Sequence, residues 1–353
     1  MNTIVLFGTG SSSDKVNHLI NTETNRVVAY LDNDSKKQGV FKNGVPIYHP
    51  SKLVVMKYDF VIICSIYYED IEKQLLGMGI NSQKIINLYR YVRTNDVLFK
   101  LLEWERSKNI KILITGMSYS RYGFDTDTLK WNSINLSFNS QDLFYDYCMT
   151  RHVLDNSSEG IKYALIGLAY FSFHFNLSLS KEKHLVERYA VLKWRGIKHN
   201  QTKFIIGHER MRDLFVDDFL NKFDQLDQNV SFDREKLKKE QKDLAKLHSS
   251  KDYPKTVKEN KVHLHNLVKL LLSKNITPIF VIHPQAKPYR EYFRKDMVDE
   301  FHQIVNDFKQ KYKIEEVNLF SSQKFTQDDF YDVHHLNTRG AKKVSRILND
   351  YLK

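Results

Sequence analysis

The sequence predicts an α/β protein made of two parallel-sheet domains, and three observations predict it. Short apolar runs alternate with stretches of helical periodicity along most of the 353 residues. Each half opens with such a run closed by glycine, Leu6-Phe7-Gly8-Thr9-Gly10 and Ile112-Leu113-Ile114-Thr115-Gly116. A parallel strand that must turn at once into a helix ends this way. Residues 93–107 between the halves contain no Pro or Gly and repeat apolar residues at helical spacing, which predicts a connecting helix.

In the first domain, residues 1–92, the apolar run 4–7 is a strand and Gly8-Thr9-Gly10-Ser11-Ser12-Ser13 turns into a helix that lasts through Ile20. A second strand over 27–31 ends at Asp32. A third covers 60–64, a helix follows over 68–78, and a short strand covers 84–88. Glycines at 8 and 10 permit a tight turn and let a phosphate approach the helix N-terminus, where free N–H groups and the helix dipole favour negative charge. Ser11 stands ready as a further phosphate contact, and Asp32 at the end of the second strand suits a ribose hydroxyl. The third glycine of a dinucleotide fingerprint is replaced by Ser13. The alternative is that the glycines only make the turn.

In the second domain, residues 108–353, five strand candidates stand at 111–115, 133–138, 163–168, 277–282 and 315–320, separated by helical material. They predict a five-stranded parallel sheet with right-handed crossovers. The segment of about 171–275 is too long for a plain crossover. It reads as a helical insertion that walls or lids a site and includes the run Phe204-Ile205-Ile206-Gly207-His208. The aromatics of Tyr170-Phe171-Ser172-Phe173-His174-Phe175 read as core or as a sugar platform, with core favoured.

Aromatic residues at 13% and apolar residues at 42% indicate a globular chain rather than a disordered one. The N-terminus reads directly as a strand with no secretory n- or h-region, and no stretch has the length of a membrane helix. A cytoplasmic protein is expected, with no integral membrane segment. Two cysteines, Cys64 and Cys148, are too few for a disulfide framework or a cysteine-based zinc site and read as buried thiols. The formal charge of +12 points to an anionic partner: a nucleotide sugar, an acyl-CoA, or the headgroups of an inner membrane surface. The Lys-rich run 235–251 alternates in sign, so a solvated helix is expected there rather than a nucleic-acid contact.

Chemistry concentrates in two motifs. Asp332-Val333-His334-His335-Leu336-Asn337, just before an amphipathic C-terminal helix, sets a carboxylate three residues ahead of an imidazole on one loop. In that arrangement the carboxylate can orient the imidazole. Gly116-Met117-Ser118 presents Ser118 at the C-terminal edge of its strand, where open α/β sheets bind ligands. The bland alternative is that Ser118 caps the next helix and Asp332 makes an Asx turn. His334 competes with His335, but its spacing from Asp332 is one residue short. Arg121 is a candidate ligand for a substrate carboxylate or phosphate. His283, in His283-Pro284-Gln285 after the fourth strand, is a candidate substrate contact, and no second ligand stands at metal-binding spacing from it.

Gly116-x-Ser118 after the first strand, with Asp332-x-x-His335 and Leu336-Asn337 before the last helix, resembles the SGNH (GDSL-like) hydrolase superfamily over residues 108–353. It is most similar to the branch that accompanies bacterial surface-polysaccharide genes. The resemblance implies that Ser118 is the nucleophile, His335 the base and Asp332 its orienting acid, with no cofactor required. It also implies three oxyanion donors. The Ser118 amide serves as one; the places of the other two fall in Ser137-Phe138-Asn139-Ser140 and Gly167-Leu168-Ala169-Tyr170, which lack the family's Gly and Asn. Asn139 and Tyr170 are the candidate substrate contacts there.

The first domain, through Leu6-Phe7-Gly8-Thr9-Gly10, Ala29-Tyr30-Leu31-Asp32-Asn33-Asp34 and Asn43-Gly44-Val45-Pro46-Ile47-Tyr48, resembles the Rossmann-like N-terminal domain of PglD-type sugar O-acyltransferases. That resemblance implies a nucleotide sugar held by Gly8, Gly10, Ser11 and Asp32. Together the two resemblances imply transfer of an acyl group, acetyl above all, to a sugar of a surface polysaccharide or its nucleotide-linked precursor, with acyl-CoA a candidate donor. A carbohydrate esterase with the same residues and a non-catalytic nucleotide-sugar-binding protein are the alternatives. An NAD-dependent oxidoreductase fits less well, because the second domain carries a serine-hydrolase pattern.

Overall fold

The computed structural model describes residues 1–156, 159–192, 214–216 and 234–353. The chain divides into two compact units, 1–96 with 201–227 and 97–200 with 228–353.

The first unit runs β1 (Asn2–Phe7), α1 (Ser11–Leu19), β2 (Asn25–Leu31), β3 (Phe41–Lys42), β4 (Val45–Tyr48), β5 (Phe60–Ile63), α2 (Tyr68–Gly77) and β6 (Ile85–Ile86). Its sheet has the order β3-β4-β2-β1-β5-β6. β1 lies between parallel neighbours on both sides, and its residues Ile4 through Phe7 are buried. That is why this strand reads as an unbroken apolar run. The order reverses between β1 and β5, a topological switch point. The sheet is mixed rather than wholly parallel, because β3 and β4 pair antiparallel. Between them Asn43 and Gly44 have φ of 49° and 78°, the two left-handed residues of the hairpin turn that Asn-Gly favours. Leu88 already begins α3 (Leu88–Arg106), which shortens the expected strand at 84–88 and starts the connecting helix ahead of residue 93.

Part of the segment expected to be an insertion of the second domain belongs here. Phe215 bridges Ile20, the Val216 amide donates to the Leu19 carbonyl at 2.8 Å, and the Asn21 amide donates to the Leu214 carbonyl at 3.0 Å. The run Phe204-Ile205-Ile206-Gly207-His208 lies outside the described residues.

The second unit contains β7 (Ile112–Thr115), α4 (Ser118–Gly123), β8 (Ser133–Asn135), α5 (Leu143–Asn156), β9 (Tyr163–Leu168), α6 (Arg234–Ser249), α7 (Pro254–Ser273), β10 (Thr277–Ile282), α8 (Lys287–Glu291), α9 (Lys295–Tyr312), β11 (Glu315–Asn318) and α10 (Thr338–Asn349). The five expected strands form one parallel sheet in the order β11-β10-β9-β7-β8. Its order reverses between β7 and β9, so Ser118, at the start of the helix after β7, lies at the switch point. β8 and β11 end earlier than their apolar runs suggest. Asn135 and Asn318 each accept the amide two residues on, from Ser137 at 3.0 Å and Phe320 at 3.1 Å, and so turn the chain.

α7 starts with Pro254 at its first turn and buries Val257, Leu264, Leu267, Val268 and Leu271 along one face. It leads directly into β10, so it serves as the crossover helix. α6 buries Leu237, Gln241, Ala245 and Ser249, one residue in four, and exposes Lys238, Lys239 and Lys246. The Lys-rich run is thus a solvated amphipathic helix. Among the described residues no helix is long and apolar enough to cross a membrane.

Two glycines let α4 sit on the sheet. Gly116 has φ of 141°, and Gly167 lies in β9 beneath Ser120, whose Oγ occupies the space that a Cβ at either glycine would take. Gly167→Ala is therefore expected to lower stability by about 1–3 kcal/mol. Ser120→Ala in the same chain should recover part of the loss, read from urea unfolding of the single and double variants. Equal midpoints for Gly167→Ala and the parent would show that this contact is slack.

Candidate active site

β7 ends at Thr115, and the chain turns through Gly116 and Met117 so that Ser118 opens α4. The first amides of a helix have no intrahelical acceptor, and those of Ser118 and Tyr119 stand at the start of α4. The Ser118 Oγ lies 2.8 Å from Nε2 of His335, and His335 Nδ1 lies 2.7 Å from Asp332 Oδ2. The carboxylate on the Nδ1 side places the ring proton there and leaves Nε2 to accept from the serine.

The loop that carries these residues is held by backbone bonds at both ends. Asp332 Oδ1 accepts the amides of His334 and His335 at 2.9 and 2.8 Å, and Phe330 bridges Leu336. Asn337 caps α10 by accepting the Gly340 amide at 3.0 Å, and buried Leu336 anchors the loop to the core. The Leu336-Asn337 pair is thus the structural half of the motif. Behind it Asp329, fully buried, pairs with Lys343 at 2.7 Å and Arg339 at 3.0 Å.

It is His335, not His334, that reaches Ser118. His334 lies against its neighbour with ring centroids 3.8 Å apart and meets the edge of Tyr119. Burial lowers the His334 pKa to about 3, and the adjacent His335 adds to the effect. For Asp332, burial opposes ionisation. The hydrogen bond from His335 and the charge of the two imidazoles outweigh it and hold the carboxyl well below the usual range. Ligand atoms of Asp332, His334 and His335 lie close enough together to hold a metal ion. Both Asp332 oxygens and both His335 nitrogens already take part in the hydrogen bonds above.

Aromatic rings enclose His335. Tyr122 meets its ring at 5.1 Å and Tyr119 at 5.8 Å, and the Tyr122 hydroxyl accepts from Asn139 Nδ2 at 3.2 Å. Arg121 lies over the Tyr122 and Phe138 rings. The Asn139 carbonyl accepts from Arg188 at 2.6 Å. His283 and Tyr170, expected as substrate contacts, are 2% and 6% exposed and bonded within the protein. His283 Nε2 is 3.4 Å from Ser120 Oγ; the Tyr170 hydroxyl meets His302 and Asn318. Both border a cavity of about 10 Å³, room for one water molecule. Phe171 and Phe173 are buried with Tyr170, so this stretch is core. Sequence reasoning passed over Tyr122 and the buried acid Asp146; the available signal for the latter was an acid within the apolar stretch Tyr145-Asp146-Tyr147-Cys148-Met149.

In the first unit Gly8 has φ of 118°, and a Cβ there would stand 2.8 Å from the Cys64 carbonyl oxygen. Gly10 caps α1, whose first residue is Ser11. Asp32 accepts from the Thr9 hydroxyl, from the Asp34 amide at 2.9 Å and from Lys37 at 3.3 Å. The carboxylate read from sequence as a ribose contact is thus already paired with neighbouring groups.

Residues 221–353 match the family described as DltD protein, and residues 1–86 match the family described as C2185-like, N-terminal. No curated protein matches the chain. Among solved structures, a protein from Bacteroides fragilis described as an acylhydrolase is similar with a TM-score of 0.38 and 10% identity, over 75% of this chain and 95% of that one. A G-D-S-L family lipolytic protein from Desulfitobacterium hafniense has a TM-score of 0.34 and 11% identity over 68% and 98%. The psychrotrophic esterase EstA from a Pseudoalteromonas species has a TM-score of 0.32 and 13% identity over 69% and 93%. Likeness at this level carries no chemistry from those proteins to this one.

His283 supplies a test of the packing under the site. Burial lowers its pKa to about 3, so the unfolded chain takes up the proton first, at about 6.5. Its contribution to stability is complete above pH 6.5 and is lost as pH falls towards 3, about 2 kcal/mol by pH 5. The Asp332 contribution, from a depressed carboxyl, is lost only below about pH 4. Urea midpoints at pH 7.5 and pH 5 should therefore differ less for His283→Gln than for the parent. The same difference in both would mean that His283 is protonated at no cost in the folded protein.

Proposed function

We propose that the second unit transfers acyl groups through an acyl-enzyme at Ser118, with acetyl the most suitable group and a sugar hydroxyl of a bacterial surface polysaccharide or its nucleotide-linked precursor as acceptor. The observation that carries this reading is the chain Ser118–His335–Asp332 at 2.8 and 2.7 Å, at the switch point of an open parallel sheet. The match of residues 221–353 to the DltD family supports the relation to SGNH-type acyl chemistry.

In this scheme Ser118 Oγ attacks the acyl carbonyl as its proton passes to His335 Nε2, and Asp332 stabilises the imidazolium that forms. The oxyanion is met by amides at the start of α4. Collapse of the tetrahedral species returns the proton to the leaving group and leaves acyl-Ser118. A sugar hydroxyl, deprotonated by His335, then takes the acyl group; water in its place gives an esterase. The charge of +12 suits an anionic donor such as an acyl-CoA. Gly8, Gly10, Ser11 and Asp32, at the sheet edge of the first unit, are the residues we assign to a nucleotide sugar.

A second reading, a binding protein without catalysis, is favoured by one observation. The Ala169 amide, near the place of a third oxyanion donor, is spent on Ser172 Oγ at 2.8 Å.

Intact-mass measurement after incubation with acetyl-CoA and, separately, with an activated acetyl ester tests the proposal. One acetyl group should be gained by the parent and not by Ser118→Ala, and His335→Ala should slow labelling by about 10³-fold or more. If neither donor labels the protein, the acyl-enzyme reading is lost and the binding reading leads.

A further inference from the structure

Beneath the Ser118 turn lies a second buried polar group that the proposed reaction does not use. Asp146, on the buried face of α5, is 2% exposed. Its Oδ1 accepts from the Thr115 hydroxyl at 2.6 Å and from Gln141 Nε2 at 2.7 Å, and the Gly116 amide donates to the same carboxyl. Thr115 and Gly116 immediately precede Met117-Ser118. Gln141 closes the loop after β8 and also donates to the Leu136 carbonyl at 3.1 Å.

From Gln141 the network returns to the same loop. The Tyr189 hydroxyl donates to Gln141 Oε1 at 2.8 Å and accepts from buried Arg188 at 2.9 Å, and Arg188 donates to the Asn139 carbonyl at 2.6 Å. The Asn139 side chain meets Tyr122, whose ring lies against His335. One carboxyl group thus ties the turn that carries Ser118 to the loop that flanks it, and the flanking loop reaches the ring packing of the base.

The donor set says what the carboxyl adds. Thr115, Gln141 and Gly116 all offer hydrogens, so the acceptor-only carboxylate fits them best. Burial opposes that form and raises the pKa of Asp146 to about 7; the hydrogen bonds from Thr115 and Gln141 act the other way, and the charge of nearby Asp142 adds to the rise. An apolar side chain would fill the space without desolvating a charge. Direction at Gly116 and Gln141 is what it would not supply.

We propose that Asp146 is a positioning residue for acyl transfer at Ser118: by holding Gly116 and Gln141 on one carboxylate it fixes the separation between the Ser118 turn and the loop after β8, and so the aim of the donors that meet the oxyanion. This rests on the acyl-serine reading above. Displacement of reacting groups by about 1 Å is enough to cost about 10²-fold in rate.

The test is steady-state turnover of an activated acetyl ester by the full chain, with Ser118→Ala as the blank. Asp146→Asn, folded by circular dichroism, should lose about 10- to 100-fold in kcat while KM stays within about twofold, the signature of an interaction made in the transition state. Thr115→Val, which removes one donor only, should lose about 3- to 10-fold in kcat. Asp142→Asn is the control. Its carboxyl holds the Tyr145 and Leu177 amides and not the Ser118 turn, so kcat should hold while stability falls.

Unchanged kcat in folded Asp146→Asn overturns the proposal, as does an equal loss in Asp142→Asn. If Asp146→Asn does not fold, Thr115→Val decides, and parental kcat there is equally fatal. Turnover by the parent with no effect of these variants removes only the positioning role. A parent without Ser118-dependent turnover removes the acyl-serine reading and this inference with it.

Discussion

The carboxylate of Asp332 is the constraint on which the candidate site depends, because its two oxygens do different work. Oδ1 folds the loop by accepting two successive amides, and Oδ2 holds the imidazole that those same residues deliver. Loop conformation and ring orientation are therefore one interaction rather than two. Hydrogen bonds to a carboxylate are stronger than neutral ones, and this one is only partly open to solvent, with 28% of its side chain exposed. The bridge from Phe330 to Leu336 and the cap at Asn337 then close the loop around His335.

The sheet supplies the other half of the placement. Ser118 follows a strand held firmly in the sheet of the second unit: β7 is paired on both sides, and Ile112 through Thr115 are buried. α4 follows after only two residues, and Ser120 wedges it against Gly116 and Gly167. A side chain on so short a tether inherits the placement of the strand. The C-terminal loop comes to it from more than two hundred residues away, which is why the sheet order, and not local sequence, brings the two motifs together.

What could be read in advance follows the same division. Local chemistry was legible: Gly-x-Ser, the Asp-x-x-His spacing and the apolar runs of β9 and β10 carry their physics in a few residues. Effects that need a partner distant in sequence were not. Asn135 and Asn318 end their strands by side-chain bonds that composition does not announce, and His283 and Tyr170 stand where the edge of the sheet is already covered. The hairpin of β3 and β4 is a different case, since Asn43-Gly44 is a strong local turn signal. Asp146 was passed over because an acid in a helix reads as surface until its partners Thr115 and Gln141, on other elements, are known.

Charge is distributed in a way that suits proton transfer at one ring only. Lys238, Lys239 and Lys246 of α6 are exposed, whereas His283, His248 and His334 are each held below the ordinary histidine range, by burial first. A proton on any of the last two would oppose a proton on His335, since like charges in contact disfavour one another. Distance then decides which imidazole is served by the acid: Asp332 is 2.7 Å from His335 and 3.8 Å from His334. The nearer ring is also the one that faces Ser118. Burial of the neighbours and the asymmetry of one carboxylate thus single out the imidazole that acyl transfer at Ser118 would use.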